Sequence, residues 1–333
     1  MKKELYICNT YFHLLITMIK ALNSKNKIDV VLASNRKDVC LCTNLDLIDR
    51  LKKACIFNDI LIFNHSEYEI KYEKKKIRRY IYLIITSFRK EINFKNYDDI
   101  YIFYEGSLIG RTLNITRTYY NLIEDGTDFL KMNYSKIKVD STLNYRIKSF
   151  VGYPCIGTSK YIKSIEVNDA TDLPITGKKI IEMPKKKLFM NLTDEQKKTI
   201  LMVFLPNGLN VDDFDNSSLI ITQPLSEDHH LNSEKDKIKI YTKIINQYAT
   251  DSKIVIKTHP RERTDYHTYF KDYTIIDFPF PLELINFFSI ALKRAITVSS
   301  TSISLIENVK TKEVLGWDWL DTMKESDLNE KRK

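Results

Sequence analysis

Short apolar runs of strand length alternate along the chain with longer stretches whose apolar residues recur at helical spacing, the rhythm of βα units that build a parallel sheet. Leu5–Cys8 is predicted as the first strand, followed by a loop at Asn9 and Thr10 and a helix through His13, Leu14, Leu15, Met18 and Ile19. Val30–Ala33, Ile60–Phe63, Ile100–Tyr104 and Tyr119–Ile123 bring the predicted strands to five, enough for one Rossmann-like half. From Asp128 to Lys187 the pattern loosens around Gly152-Tyr153-Pro154 and Gly157, with a weaker strand at Tyr161–Val167.

Thr193-Asp194-Glu195-Gln196 has the spacing of a capping box, so a helix is predicted from there to about Leu205, stopped by Pro206-Asn207-Gly208. The βα rhythm then restarts. Strands are predicted at Leu219–Thr222, Ile254–Lys257, Thr274–Ile276, Ala295–Val298 and Glu313–Leu315, and helices at Ile238–Gln247, Leu282–Phe288 and Ile303–Asn308. The division expected is residues 1–212, residues 213–315 and a helical tail over 316–333, with the linker inside 207–218. Two such domains facing each other would enclose a cleft, and open α/β sheets bind ligands at the carboxyl ends of their strands.

Composition changes this picture little. The 333 residues are 43% hydrophobic and 29% charged, which excludes wholesale disorder. The net charge of +9 is compatible with nucleic acid, an anionic membrane face or acidic and phosphorylated substrates. The basic residues are scattered and no nucleic-acid module is recognisable, so nucleic acid is not the expected partner. The five cysteines (Cys8, Cys40, Cys42, Cys55, Cys155) form no CxxC pair, which argues against a disulfide framework or a four-ligand zinc site. The sequence begins without a long apolar stretch, and no window reaches the length of a membrane span, so a cytoplasmic protein is expected.

Several strand ends carry chemistry. Tyr119–Ile123 runs into Glu124-Asp125-Gly126, where one carboxylate can serve as general base and the other hold it, the glycine freeing the turn; an ordinary post-strand turn has the same composition. Ile254–Lys257 runs into Thr258-His259-Pro260-Arg261. An imidazolium there, flanked by Lys257 and Arg261, would donate to a phosphate oxygen or pass a proton to a departing one, or it would simply cap the strand. Ala295–Val298 leads to Ser299-Ser300-Thr301-Ser302 at a predicted helix start, an arrangement that favours phosphate but that plain N-capping also produces. Pro279 and Pro281 set the approach to a predicted helix whose first turn carries Glu283, either as dipole compensation or as a ligand for ribose hydroxyls. Asp228-His229-His230 lacks further metal ligands nearby and is read as an exposed loop. Lys74-Lys75-Lys76 with Arg78 and Arg79, beside Tyr80–Ile85, is either a solvated face or an interfacial helix on anionic lipid.

Taken in order, Cys8-Asn9-Thr10 with His13, Glu124-Asp125-Gly126, Lys257-Thr258-His259-Pro260-Arg261, Pro281-Leu282-Glu283 and Ser299-Ser300-Thr301 resemble the bacterial sialyltransferases of glycosyltransferase family 52. The resemblance implies an α/β GT-B fold of two Rossmann-like domains, the first on the acceptor side and the second binding the CMP-sugar. It implies CMP-sialic acid as donor, an oligosaccharide or lipid-linked surface glycan as acceptor, inversion at the anomeric carbon and no metal or other cofactor. His259 would contact or protonate the leaving phosphate, Ser299, Ser300 and Thr301 would bind it, and Glu283 would hold the cytidine ribose. Asn9, Thr10, Gly126, Lys257, Pro260, Arg261 and Pro281 belong to the expected substrate-binding set. For the base, Glu124 or Asp125 matches the acidic pair of related families, while Asp228, after the first strand of the second domain, is the rival. A homodimer, peripheral contact with the inner face of the plasma membrane, and a same-fold hexosyltransferase with another nucleotide-sugar donor stand as the remaining expectations.

Overall fold

A computed structural model of the chain describes residues 1–33, 41–64, 92–126, 130, 156–173, 175, 177–206 and 209–330. Contacts divide it into two units, Met1–Phe204 and Leu205–Lys333. That division falls ahead of the 212/213 boundary expected from the sequence. The basic run at residues 74–79, together with Cys40, Cys155 and Gly152-Tyr153-Pro154, lies outside the described residues.

In the N-terminal unit the order is β1 (Lys3–Cys8), α1 (Tyr11–Leu22), β2 (Lys27–Ala33), α2 (Leu45–Lys53), β3 (Asp59–Phe63), β4 (Asp99–Ile102), α3 (Leu108–Ile115), β5 (Tyr120–Ile123), β6 (Ile162–Val167), β7 (Lys179–Glu182), α4 (Lys185–Met190) and α5 (Asp194–Phe204). The strands form one sheet, β3-β2-β1-β4-β5-β6-β7, with every pairing parallel. It has seven strands where the sequence predicted five and a weaker sixth. Strand β7 and helix α4 escaped prediction because the lysines between Lys178 and Lys187 mask the short apolar pairs inside them. Leu5, Ile7, Val31, Ile102, Leu122 and Ile165 share one core, and β1 is buried from Glu4 to Cys8, as expected of a parallel sheet covered on both faces. The capping box is complete at α5: Gln196 N–H donates to Thr193 Oγ1 at 3.2 Å, and Thr193 N–H donates to Gln196 Oε1 at 2.9 Å.

The C-terminal unit runs β8 (Ser218–Ile221), α6 (Glu234–Tyr248), β9 (Ile254–Lys257), β10 (Thr274–Ile276), β11 (Leu292–Thr297), β12 (Val309–Val314) and α7 (Trp317–Glu330). Its parallel sheet has the order β10-β9-β8-β11-β12. Helix α7, expected as a separate tail, anchors to this unit through the fully buried Leu320. The helices predicted at Leu282–Phe288 and Ile303–Asn308 are instead 3₁₀ turns, Leu282–Phe287 and Thr301–Leu305. Asn286 joins them, donating to Leu305 C=O at 2.7 Å and accepting from Glu307 N–H at 2.7 Å, and β12 begins at Val309, leaving no chain to extend the second turn.

Each strand order reverses once, between β1 and β4 in the first unit and between β8 and β11 in the second. At such a switch point the connections leave in opposite directions and open a crevice at the strands' carboxyl ends.

Candidate active site

In the N-terminal unit the switch point is occupied by His13. Thr10, extended at φ −135°, caps α1 by accepting His13 N–H at 3.2 Å, which places the imidazole in the first turn directly after β1. The ring is 1% exposed and stacks on Phe103, just past β4, with centroids 4.2 Å apart and planes at 7°. Its Nδ1 accepts Asn9 N–H at 3.2 Å, so the proton belongs on Nε2, which donates to Asp125 Oδ1 at 2.9 Å.

The acidic pair is split by its surroundings. Glu124 keeps its backbone N–H in the sheet, donating to Glu166 C=O at 2.8 Å, and its buried carboxylate accepts Leu130 N–H at 3.2 Å and Asn168 N–H at 2.8 Å. It is a strut between β5, β6 and the following segment. Asp125 leaves the ladder with its side chain 34% exposed, and Gly126 turns the chain at φ +84°, where a side chain would be strained. Burial pushes the Asp125 carboxyl up, but the proximity and hydrogen bond of His13, with the charge of Lys185, outweigh it and hold the group below its ordinary value. Asp125 is therefore an oriented, ionised, partly exposed carboxylate, which is what a general base requires. His13 orients it and, with Nδ1 occupied by a backbone amide, carries no proton onward. Sequence reasoning placed His13 in the motif without giving it this task.

In the C-terminal unit His259 follows β9. Its Nδ1 accepts Arg261 N–H at 3.1 Å and its backbone N–H donates to Glu262 Oε2 at 2.7 Å, leaving Nε2–H as the free donor of a neutral ring. Burial first, then the charges of Arg261 and Lys257, lower its pKa to about 4. The imidazolium expected from the sequence is thus a neutral imidazole at pH 7. Lys257 is itself buried, its Nζ donating to Thr258 C=O at 2.8 Å and lying 5.0 Å from the Phe280 ring centroid, and burial lowers it to about 8. It supplies positive potential without facing solvent. Pro260 is exposed beside His259. Arg261 and Asp228, expected to act separately, hold each other: two guanidinium nitrogens donate to the two carboxylate oxygens at 2.7 and 2.8 Å.

The switch point between β8 and β11 is closed by Gln223, a residue passed over in the sequence. Its Nε2 donates to Ser299 Oγ at 2.9 Å and its Oε1 accepts Ser299 N–H at 2.7 Å. Ser300 N–H donates to Thr297 Oγ1 at 3.2 Å, and Ser300 and Ser302 share a hydroxyl hydrogen bond of 2.7 Å. With these amides satisfied and no helix behind them, the dipole argument for phosphate lapses. The hydroxyls of Ser299, Ser300 and the exposed Thr301 remain as the donors on this loop. Buried Pro281 starts the neighbouring turn, and Glu283 in that turn is 5% exposed, its carboxyl pushed up to about 7 by burial, its own amide offsetting part. Among the described residues no other group donates to that carboxylate, which leaves it able to accept further hydrogen bonds.

Of the remaining sequence candidates, Asn9 is buried beside His13. His230 packs against Trp317 with centroids 4.4 Å apart and planes at 33°, and among the described residues no three His, Cys, Asp or Glu side chains stand together as a metal site. No helix of the described residues is long and apolar enough to cross a membrane.

The family model described as glycosyltransferase family 52 matches residues 47–316. An uncharacterised protein of Haemophilus influenzae (strain ATCC 51907 / DSM 11121 / KW20 / Rd) is 29% identical over 233 residues, which are 68% of this chain and 71% of the relative. Among solved structures, one assigned as a UDP-N-acetylglucosamine 2-epimerase from Listeria monocytogenes superimposes with a TM-score of 0.52 at 10% identity, over 97% of this chain and 86% of the other. That likeness is one of fold alone, two Rossmann-like units of the GT-B type. The family match covers most of the chain and spans the described cluster after β9 and the loops after β8 and β11: this protein belongs to glycosyltransferase family 52 and is a glycosyltransferase.

Proposed function

We propose that the protein transfers sialic acid from CMP-sialic acid to a terminal galactose or related sugar of a bacterial surface glycan, with inversion and without a metal ion. The observation that carries this reading is the presence, after strands of the C-terminal sheet, of a buried carboxylate, Glu283, which among the described residues only its own amide serves, together with the Nε2–H of His259 and the hydroxyls of Ser299, Ser300 and Thr301. A ribose diol suits the first, and a phosphodiester suits the others.

In the reaction the acceptor hydroxyl oxygen forms a bond to the anomeric carbon while that carbon's bond to the phosphate oxygen breaks. The hydroxyl proton goes to a carboxylate, for which Asp125 is the better prepared group, and CMP leaves with the bonding electrons. The transition state resembles an oxocarbenium ion with negative charge growing on phosphate. Neutral His259 meets that charge with a hydrogen bond. It becomes an acid only if the bound phosphate first raises its pKa, since anionic neighbours favour the charged ring. Lys257 and Arg261 add positive potential where the charge collects. A cytoplasmic site of action at the inner membrane face completes the proposal.

The test is incubation of purified protein with CMP-sialic acid and lactose in EDTA, following CMP release and product mass. Sialyl-lactose is the expected product. Protection against thermal unfolding by UDP but not CMP would overturn the donor assignment in favour of a hexosyl donor.

A further inference from the structure

The loops after β8 and β9 carry Asp228 and His259, yet neither loop has regular structure to hold it. Behind them, on α6, stands Lys237, a lysine with no exposed side-chain surface. Its Nζ lies 2.9 Å from both carboxylate oxygens of Glu227 on the first loop and 3.4 Å from Glu262 Oε1 on the second. Each glutamate passes the anchorage on. Glu227 Oε1 accepts Arg263 N–H at 2.9 Å. Glu262, its side chain 1% exposed, accepts the Tyr266 hydroxyl at 2.6 Å on Oε1, and on Oε2 accepts His259 N–H at 2.7 Å and the Thr222 hydroxyl.

We infer that Lys237 is a positioning residue of the donor site: its buried ammonium joins the two loops through Glu227 and Glu262 and so fixes the backbone on which His259 presents Nε2–H. Here a single cation is shared by two carboxylates, each on a different loop, and one of them accepts the backbone amide of His259 itself. The exposed pair between Arg261 and Asp228 spans the same two loops, so the outer pair is free to exchange with a ligand anion while the inner cation keeps the frame unchanged. This inference rests on the reading of His259 as a phosphate contact.

The experiment compares unmodified protein, Lys237→Met and Glu227→Gln, with Ile244→Ala on the same helix core as a control for stability loss alone. The first readout is the tautomer of His259 from imidazole ¹⁵N shifts in the ligand-free protein, and the second is the Kd for CMP. In folded Lys237→Met, loss of the single Nε2–H tautomer and at least a tenfold rise in Kd are expected. Glu227→Gln should move both in the same direction by less, and Ile244→Ala should move neither while lowering the Tm. An unchanged tautomer in folded Lys237→Met overturns the inference; if that variant does not fold, an unchanged tautomer in Glu227→Gln overturns it. Failure of the unmodified protein to bind CMP, with the tautomer still responding to Lys237→Met, would instead strike the donor reading and leave the positioning role standing.

Discussion

Arg261 grips both carboxylate oxygens of Asp228, at 2.7 and 2.8 Å, so the two residues neutralise one another across neighbouring loops. The guanidinium is 27% exposed and the carboxylate 35%, and exposed pairs of this kind contribute about 0–1 kcal/mol. A donor anion would therefore compete for Arg261 at small cost. Asp228→Asn is expected to retain kcat within about threefold and to tighten CMP binding by up to about fivefold, the equivalent of that 1 kcal/mol. Steady-state kinetics and calorimetry decide it: a thousandfold loss of kcat with unchanged CMP affinity would make Asp228 the base.

Asp125 and Glu124 should separate cleanly. Asp125→Asn is expected to lower kcat by roughly 10²–10⁴-fold, the range for a lost general base, with little change in Tm. Glu124→Gln puts an amide donor against backbone N–H groups of Leu130 and Asn168 and should destabilise by about 1–3 kcal/mol while costing less than tenfold in kcat. Thermal melts run beside initial rates would reveal the opposite pattern if the roles were reversed.

His259 predicts a proton linkage. Its folded pKa of about 4 lies below the ordinary value of 6.5, so the unfolded chain binds the extra proton and this group's destabilisation grows as pH falls from about 6.5 to 4. Bound phosphate opposes burial and the cationic neighbours, so CMP should bind at pH 5.5 with net proton uptake, read from calorimetry in buffers of different ionisation enthalpy. Uptake should vanish in His259→Asn, and His259→Ala should lower kcat by roughly 10²–10⁴-fold. Equal binding heats in all buffers would count against the linkage.

Glu283 predicts a trade between stability and binding. Its carboxyl, raised to about 7, is a stability cost that is absent below the ordinary value of 4.5 and grows as pH rises to 7, reaching roughly 3 kcal/mol. Glu283→Gln should therefore be more stable than the unmodified protein at pH 8, equally stable near pH 4, and weaker for CMP by tenfold or more. Unchanged CMP affinity with raised stability would remove the ribose from its surroundings.

The strand ends that carry the site were legible because a parallel sheet writes each strand as a short apolar run, and Ile254–Lys257 matches to the residue. Thr193 was legible as a helix start because capping is local, whereas Thr10, in a predicted loop, caps α1. What escaped is held by partners far along the chain. Gln223 meets Ser299, and Lys237 meets Glu262, through contacts that no periodicity announces. The unequal fates of Glu124 and Asp125 also depend on distant atoms, the amide of Asn168 and the ring of His13. The two 3₁₀ turns were mistaken for helices since their apolar spacing is the same over so few residues, and the Asn286 bonds that tie the first to the second reach residues 19 and 21 positions along the chain.

Trp317, packed at a tilt against His230 and 42% exposed, is one of only two tryptophans in the chain, the other being Trp319 close by on the same helix. His230 sits two residues beyond Asp228 on the loop whose outer pair a donor anion would open. Indole emission depends on what lies against the ring, so it responds when the His230 side chain moves. If a donor anion does open that outer pair, Trp317 emission should change on its addition, which would let the order of substrate binding be followed without a label.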